Sequence, residues 1–300
     1  MDKFGALAAF GTACCWALSP LFFESTSKKL GVLTVNFWKV VFAFIFLAIA
    51  GALTRGMALP LDASPRTWLF LSLSGLLGFV ISDFFLFSAY VYIGARTAVV
   101  FQAITPFFTA LFAFIFLGET MEPARLVGMI TVVCGILMVV ITRQKKDKTA
   151  RDKASGVGKG YLFAFLSTVF QAGGLIFSKV GLGDYSAISG TQIRVMFAIL
   201  GFGIQALVTG QAKQVFVSAP KDRKGIRSIF IGAIFGPFLG VVFSLFAMQH
   251  TQAGTASTLM ALTPVLIIPP SILILKQKVD RMEIIGAIVA VCGAALFFML

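Results

Sequence analysis

Charge and chemistry-bearing side chains are scarce in this chain. Only 12% of its 300 residues are charged, His250 is its single histidine, and its four cysteines, Cys14, Cys15, Cys134 and Cys292, show no C-x-x-C spacing. So little His and Cys leaves poor material for a metal site, and the cysteines read as small apolar packing residues. H-E-x-x-H, G-x-S-x-G, a Walker A sequence and a strand-to-helix G-x-G-x-x-G are all missing, which removes the common catalytic and nucleotide-binding constellations. The chain does not read as an enzyme, and no cofactor is expected.

Acidic residues are scarcer than basic ones, 12 against 25, giving a formal net charge of +13. A basic balance can signal nucleic acid, but here the bases sit in short connections between apolar runs, so nucleic acid is not an expected partner. The runs dominate: 58% of residues are hydrophobic, 33 are Phe, and the mean hydropathy is +0.96. Such a composition belongs to a lipid bilayer.

A spanning helix needs about 20 mostly apolar residues. Ten stretches qualify: Phe4 to Phe23, Val32 to Leu53, Trp68 to Tyr90, Thr97 to Leu117, Pro123 to Ile141, Gly160 to Val180, Ile188 to Val208, Ile226 to Met248, Gly254 to Leu275 and Glu283 to Leu300. The first is long enough to be retained as a span instead of serving as a cleaved signal. Bases crowd one set of connections: Lys28, Lys29, Arg96, the segment Arg143 to Lys159, Lys213, Lys221, Arg223, Lys224, Arg227, Lys276, Lys278 and Arg281. The other set has only Lys3, Arg55, Arg66 and Arg125. The positive-inside rule puts the first set in the cytoplasm and both termini outside, in a multi-pass plasma membrane (bacterial inner membrane) protein.

The chain also repeats itself. A shift of 158 aligns Gly78 with Gly236, Thr97 with Thr255, Thr105-Pro106 with Thr263-Pro264, and Val133-Cys134-Gly135 with Val291-Cys292-Gly293. A shift of 155 aligns Gly5 with Gly160, Ala17 with Ala172, and Lys39-Val40 with Arg194-Val195. Internal repeats decide architecture. The expectation is an all-α polytopic protein with one five-helix repeat over 1–142, a basic cytoplasmic linker over 143–159 and a second repeat over 160–300. Because each repeat has an odd number of spans, the second enters the membrane from the opposite face, an inverted arrangement typical of transporters.

Within the spans, the prolines stand out, since a helical proline leaves the carbonyl four residues earlier without its partner. Pro20, Pro106, Pro237 and Pro264 would free the carbonyls of Trp16, Gln102, Ala233 and Met260; the repeated Thr-Pro step reads as a cavity wall, where broken backbone is tolerated. Pro269-Pro270 adds a break to the ninth span alone. Lys39 and Arg194, two turns into equivalent spans, read as helix anchors that snorkel. Asp83, whose repeat partner is Val241, reads as a cation or proton site, as the partner of Lys39 in a buried ion pair, or as a carboxylate hydrogen-bonded to helix termini. Gln102, Gln171, Gln192, Ser19 and Ser244 add hydrogen-bonding capacity, and Trp16, Phe79, Phe87 and Phe101 aromatic surface. Glycines seven apart, Gly128 with Gly135 and Gly286 with Gly293, put close-packing faces on the last helix of each half.

These features resemble the EamA family of the drug/metabolite transporter superfamily. The resemblance rests on two five-helix halves, a base early in the second helix of each half, the Thr-Ala…Thr-Pro stretch of the fourth helix, and the Leu117-Gly118-Glu119 step after it. It departs where Lys276-Gln277-Lys278 replaces the Gly-Glu step and where Lys39 stands for arginine. The resemblance implies a secondary transporter, commonly an exporter of amino acids, aromatic ones among them, or of related metabolites, with a cavity lined by helices 1, 3, 4, 6, 8 and 9. A small-molecule substrate site is then expected from Trp16, Phe79, Asp83, Phe101, Gln102, Thr105, Gln171, Ser244, Met260 and Thr263. Gating or structural roles fall to Pro20, Lys39, Pro106, Arg194, Pro237 and Pro264. Proton coupling through Asp83, and a monomer or weak homodimer, stay open at this point. So do two other cargoes, cationic amphipathic drugs and sugar phosphates or nucleotide sugars.

Overall fold

The computed structural model describes residues 3–102, 104–145, 157–266 and 280–299. Every regular element among them is helical. In order these are α1 (Lys3–Leu30), α2 (Val32–Arg55), α3 (Pro65–Gly75), a wide π-helical turn (Leu76–Ile81), α4 (Ser82–Gln102), α5 (Thr105–Leu117), α6 (Pro123–Lys145), α7 (Val157–Leu182) and α8 (Ala187–Val208). After a second wide turn at Lys213–Ser218 come α9 (Arg223–Ala233), a third wide turn (Ile234–Gly240), α10 (Val241–His250), α11 (Ala253–Met260), α12 (Thr263–Leu266) and α13 (Arg281–Met299).

Five stretches have the length and composition of a membrane span: Val32–Arg55, Pro65–Leu86, Gly158–Leu182, Ala187–Val208 and Arg223–His250. Thr105–Leu117 and Pro123–Met138 are apolar but shorter. Much of the expected ninth span, with Pro269-Pro270, lies outside the described residues, as does most of the basic linker.

Local signals set the ends. Ser64 caps α3 by accepting the Thr67 amide at 3.1 Å, with Pro65 in the first turn where its missing N–H costs nothing. Asp222 caps α9 through the Gly225 amide. Gly56 and Gly118 end α2 and α5 at φ 72 and 65, a left-handed conformation that glycine adopts freely.

One expected boundary is corrected. The sequence suggested a loop near Arg96 between separate helices, but α4 runs on through Gly94, Ala95 and Arg96 to Gln102. A lone glycine lowers helix stability without stopping it. Pro106 does stop it, because its ring clashes with the carbonyl of residue 102, four positions back. Consequently Pro106 is not a mid-helix kink: it stands in the first turn of α5. Pro264 likewise stands in the first turn of α12, after the break at Ala261 and Leu262.

Packing follows the repeat. α6 lies along α13, α2 along α8, α1 against α10 and α11, and α7 against α4 and α5, so each contact is matched or exchanged by its repeat counterpart. The expected glycine faces meet each other at α6 and α13. A Cβ on Gly293 would lie 2.7 Å from the Val132 amide nitrogen and 3.0 Å from the Gly128 carbonyl oxygen, and one on Gly135 would strike the backbone of Ala290 and Gly286. Two of the wide turns also correspond, since a shift of 158 carries Leu76–Ile81 onto the turn that begins at Ile234. Only the later one contains a proline, Pro237, so proline does not cause the widening.

Candidate functional site

Between the halves lies a cavity of about 390 Å³, within the range that holds small ligands. Helical periodicity builds its wall. Trp16, Ser19 and Phe23 form one stripe of α1, and Phe79, Ser82, Asp83 and Leu86 another along the first wide turn and α4. Gln171 and Leu175 enter from α7, Ser257 and Met260 from α11, and Gln102, Thr105, Thr263 and Pro237 from the breaks. These elements belong to the six expected lining helices, with Lys39 of α2 added.

Lys39 and Asp83 are the charged side chains of this wall. Nζ and Oδ2 stand 3.5 Å apart, and the side chains are 14% and 18% exposed. Of the readings of Asp83, the geometry shows the ion pair with Lys39. The separation is longer than the 2.7–2.9 Å usual for a tight ammonium–carboxylate bond. Each group also has spare capacity, since an ammonium carries three donors and a carboxylate about four acceptor positions.

The neutral polar groups divide into held and free. Gln102 donates to Ser167 Oγ at 2.8 Å and accepts from the Thr105 hydroxyl at 3.3 Å, so both ends of its amide are used within the wall. The Thr263 hydroxyl donates to the Met260 carbonyl at 2.9 Å. Thr105, Met260 and Thr263 were expected to serve a substrate; local bonds take up the two hydroxyls and the Met260 carbonyl because residues three apart across a helix break face one another. Gln171 makes no hydrogen bond among the described residues, which leaves its amide for a solute. Trp16 lies across the Gly240 backbone, where a Cβ would come 2.6 Å from the indole nitrogen.

Two residues expected to bind substrate, Phe101 and Ser244, stand apart from the cavity. Phe101 packs on Tyr161, ring centroids 5.9 Å apart, beside Ala89, Ile93 and Ala164. Ser244 is buried and donates to the Val241 carbonyl at 2.8 Å. Arg194 is buried behind the wall, its guanidinium 5.2 Å from the Phe79 ring. Pro106 and Pro264 shape the chain path, and the side chains of Pro20 and Phe87 lie outside the described residues. Sequence reasoning missed Phe23, Gly78, Ser82, Leu86 and Ser257. For some a signal is there, since Leu86 and Ser257 stand one turn from Asp83 and Met260 and Phe23 two turns from Trp16, but neutral members of a stripe carry no charge or proline to mark them.

Comparison with known proteins agrees with this architecture. The sequence profile of the EamA-like transporter family matches residues 3–141 and again 158–299. An uncharacterized transporter of Clostridium kluyveri is 26% identical over 227 residues, which is 75% of this chain and 70% of that one. A probable glucose uptake protein, GlcU, of Staphylococcus epidermidis is 25% identical over 59% of this chain and 58% of its own length. A solved crystal structure superposes with a TM-score of 0.73 at 21% identity, covering 100% of this chain and 98% of the other, which shows the same fold.

Proposed function

Since the chain belongs to the EamA-like transporter family, and is thus a multi-pass membrane transporter, we propose that it exports a small zwitterionic metabolite, an amino acid with an apolar or aromatic side chain. The observation that carries this reading is the loose Lys39–Asp83 pair in the cavity wall. A zwitterion can enter such a pair by partner exchange, its ammonium taking Asp83 and its carboxylate taking Lys39, with charge balanced throughout. Trp16, Phe23 and Phe79 supply apolar surface for the side chain, and Gln171 a free amide.

The other cargoes fit less well. A cationic drug favours a lone acid facing aromatics, whereas Lys39 faces the same cavity as Asp83. A phosphorylated sugar calls for several bases, and among the described residues Lys39 is the single base of this wall. A neutral sugar is the second reading: a relative is named a probable glucose uptake protein, and an indole face with amides is a suitable sugar surface.

The working cycle follows from the repeats. Two five-helix halves over 1–142 and 160–300, inverted with respect to each other, rock about the cavity and expose it to each face in turn. Both termini lie outside, the linker lies in the cytoplasm, and a monomer suffices. Asp83, the acid of the cavity wall, is the group through which a coupled proton would pass.

Purified protein in liposomes tests the reading by counterflow of each of the twenty amino acids and of hexoses. We expect accelerated movement of a subset of amino acids, lost in the Asp83→Asn and Lys39→Met variants. Movement of hexoses alone would establish the sugar reading instead.

A further inference from the structure

Lys39 and Arg194 hold equivalent positions in the two halves, but the fold treats them differently. Lys39 faces the cavity and meets Asp83. Arg194 is 4% exposed, and its Nε and Nη1 have no hydrogen-bond partner among the described residues. A guanidinium stays charged and carries five N–H donors. Burying one without an acid is among the costliest arrangements a folded chain can hold. Symmetry supplies no acid either, because the counterpart of Asp83 is Val241.

Two residues of the cavity wall touch Arg194. The Phe79 ring lies 5.2 Å from its Cζ, and a Cβ on Gly78 would sit 3.2 Å from Nη2. Gly78 and Phe79 are themselves cavity wall, so the guanidinium lies against the back of that wall. Both belong to the wide turn Leu76–Ile81. Wide turns of this kind are rare, occur mostly as single-turn bulges inside α-helices, and are frequent at functional sites.

We infer that Arg194 is a second anion-binding group of the cavity, which takes the carboxylate of the transported solute when the wide turn Leu76–Ile81 shifts and the cavity opens to the opposite face. The inference rests on the inverted-repeat cycle proposed above. Exchanging the conformations of the two halves carries Arg194 into the setting that Lys39 has here and withdraws Lys39 into the setting of Arg194. The carboxylate thus passes from one base to the other as the transporter turns over, and the unpaired charge is stored in the state that lacks the solute contact.

Two experiments test this. In vesicles of each orientation, Lys39→Cys and Arg194→Cys variants, with the four native cysteines replaced by alanine, are exposed to a membrane-impermeant thiol reagent. The expected result is labelling of the Lys39→Cys variant from one face only and of the Arg194→Cys variant from the other face only, with the latter slowed by a mixture of amino acids. An Arg194→Cys variant inert from both faces, or labelled from the same face as the Lys39→Cys variant, overturns the inference. Because charge at this site can also matter for folding, transport is compared in Arg194→Lys and Arg194→Gln variants at equal membrane abundance. Loss of a charge-assisted contact predicts a fall of about tenfold or more for Arg194→Gln, with Arg194→Lys close to wild type; equal rates in the two variants contradict it. If hexoses prove to be the cargo, the labelling pattern still reports whether Arg194 reaches the cavity, and absence of protection by amino acids overturns the ligand assignment alone.

Discussion

Lys39 and Asp83 are held apart by enough to be useful and near enough to be stable. Neither charge could be left alone at this depth: removing one partner of a buried pair typically costs about 3–5 kcal/mol, whereas replacing both by apolar groups is often neutral. The expected outcome is that Asp83→Asn and Lys39→Met each lower thermal stability while the Lys39→Met, Asp83→Leu double variant recovers most of the loss, with transport absent in all three. A thermal-shift series on detergent-purified protein checks it. Outside the membrane, two carboxylates have pKa values below the ordinary carboxylate range: Asp62 through a hydrogen bond from the Tyr185 hydroxyl and then from Arg55, and Asp222 through a hydrogen bond from Lys29 and then the Gly225 amide. A carboxylate whose folded-state pKa is depressed contributes stability that is complete above its unfolded pKa of about 4 and is lost as pH falls through the folded value. The Asp222→Asn variant should therefore be less stable than the wild type above about pH 4, with the difference closing as pH falls further, so that its acid unfolding comes at the same or a higher pH; equal stability of the two proteins at neutral pH would remove Lys29–Asp222 from the account.

At the scale of the element, the breaks matter more than the helices. Substitution of Pro106 by alanine should cost about 1 kcal/mol or less, because a first-turn proline gives up no hydrogen bond, and circular dichroism melting of the variant measures it. Gly293→Val should be far more damaging, since the added side chain meets the Val132 amide and the Gly128 carbonyl across the α6–α13 contact. Loss of folded protein from the membrane fraction is the readout. These elements also show how far the sequence could be read. The glycine spacing announced the α6–α13 packing, the Thr-Pro steps announced the breaks, and the apolar runs announced the helices. The wide turn at Leu76–Ile81 was invisible because no proline or charge marks it. The continuation of α4 through Arg96 was missed because glycine and arginine resemble a loop in composition while remaining compatible with a helix. For the site, Trp16, Asp83 and Gln171 were legible as costly or bulky residues at membrane depth. The engagement of Thr105 and Thr263 with their neighbours was not, since hydroxyl partners depend on the local path of a broken helix.

For the whole molecule, the two halves are tied by side chains that do not line the cavity. Glu119, after α5, pairs with Lys179 of α7 at 2.7 Å and accepts the Ala253 amide at 2.9 Å, while Lys179 also donates to the Thr251 carbonyl. Arg55, Asp62, Tyr185 and Ser189 form another tie across the halves. Elsewhere Lys29 pairs with Asp222. A transporter that rocks must open such ties in turn, so Glu119→Gln should increase labelling of a Lys39→Cys probe from the face that carries Glu119. The central claim, that the cavity recognises a zwitterion through Lys39 and Asp83, is tested most directly by counterflow in liposomes with one labelled amino acid and its two half-charged analogues, the methyl ester and the N-acetyl derivative. The account predicts that the intact zwitterion is transported and both analogues fail in the wild type. Equal transport of zwitterion and analogues, or undiminished zwitterion transport by the Lys39→Met, Asp83→Leu variant, would contradict it.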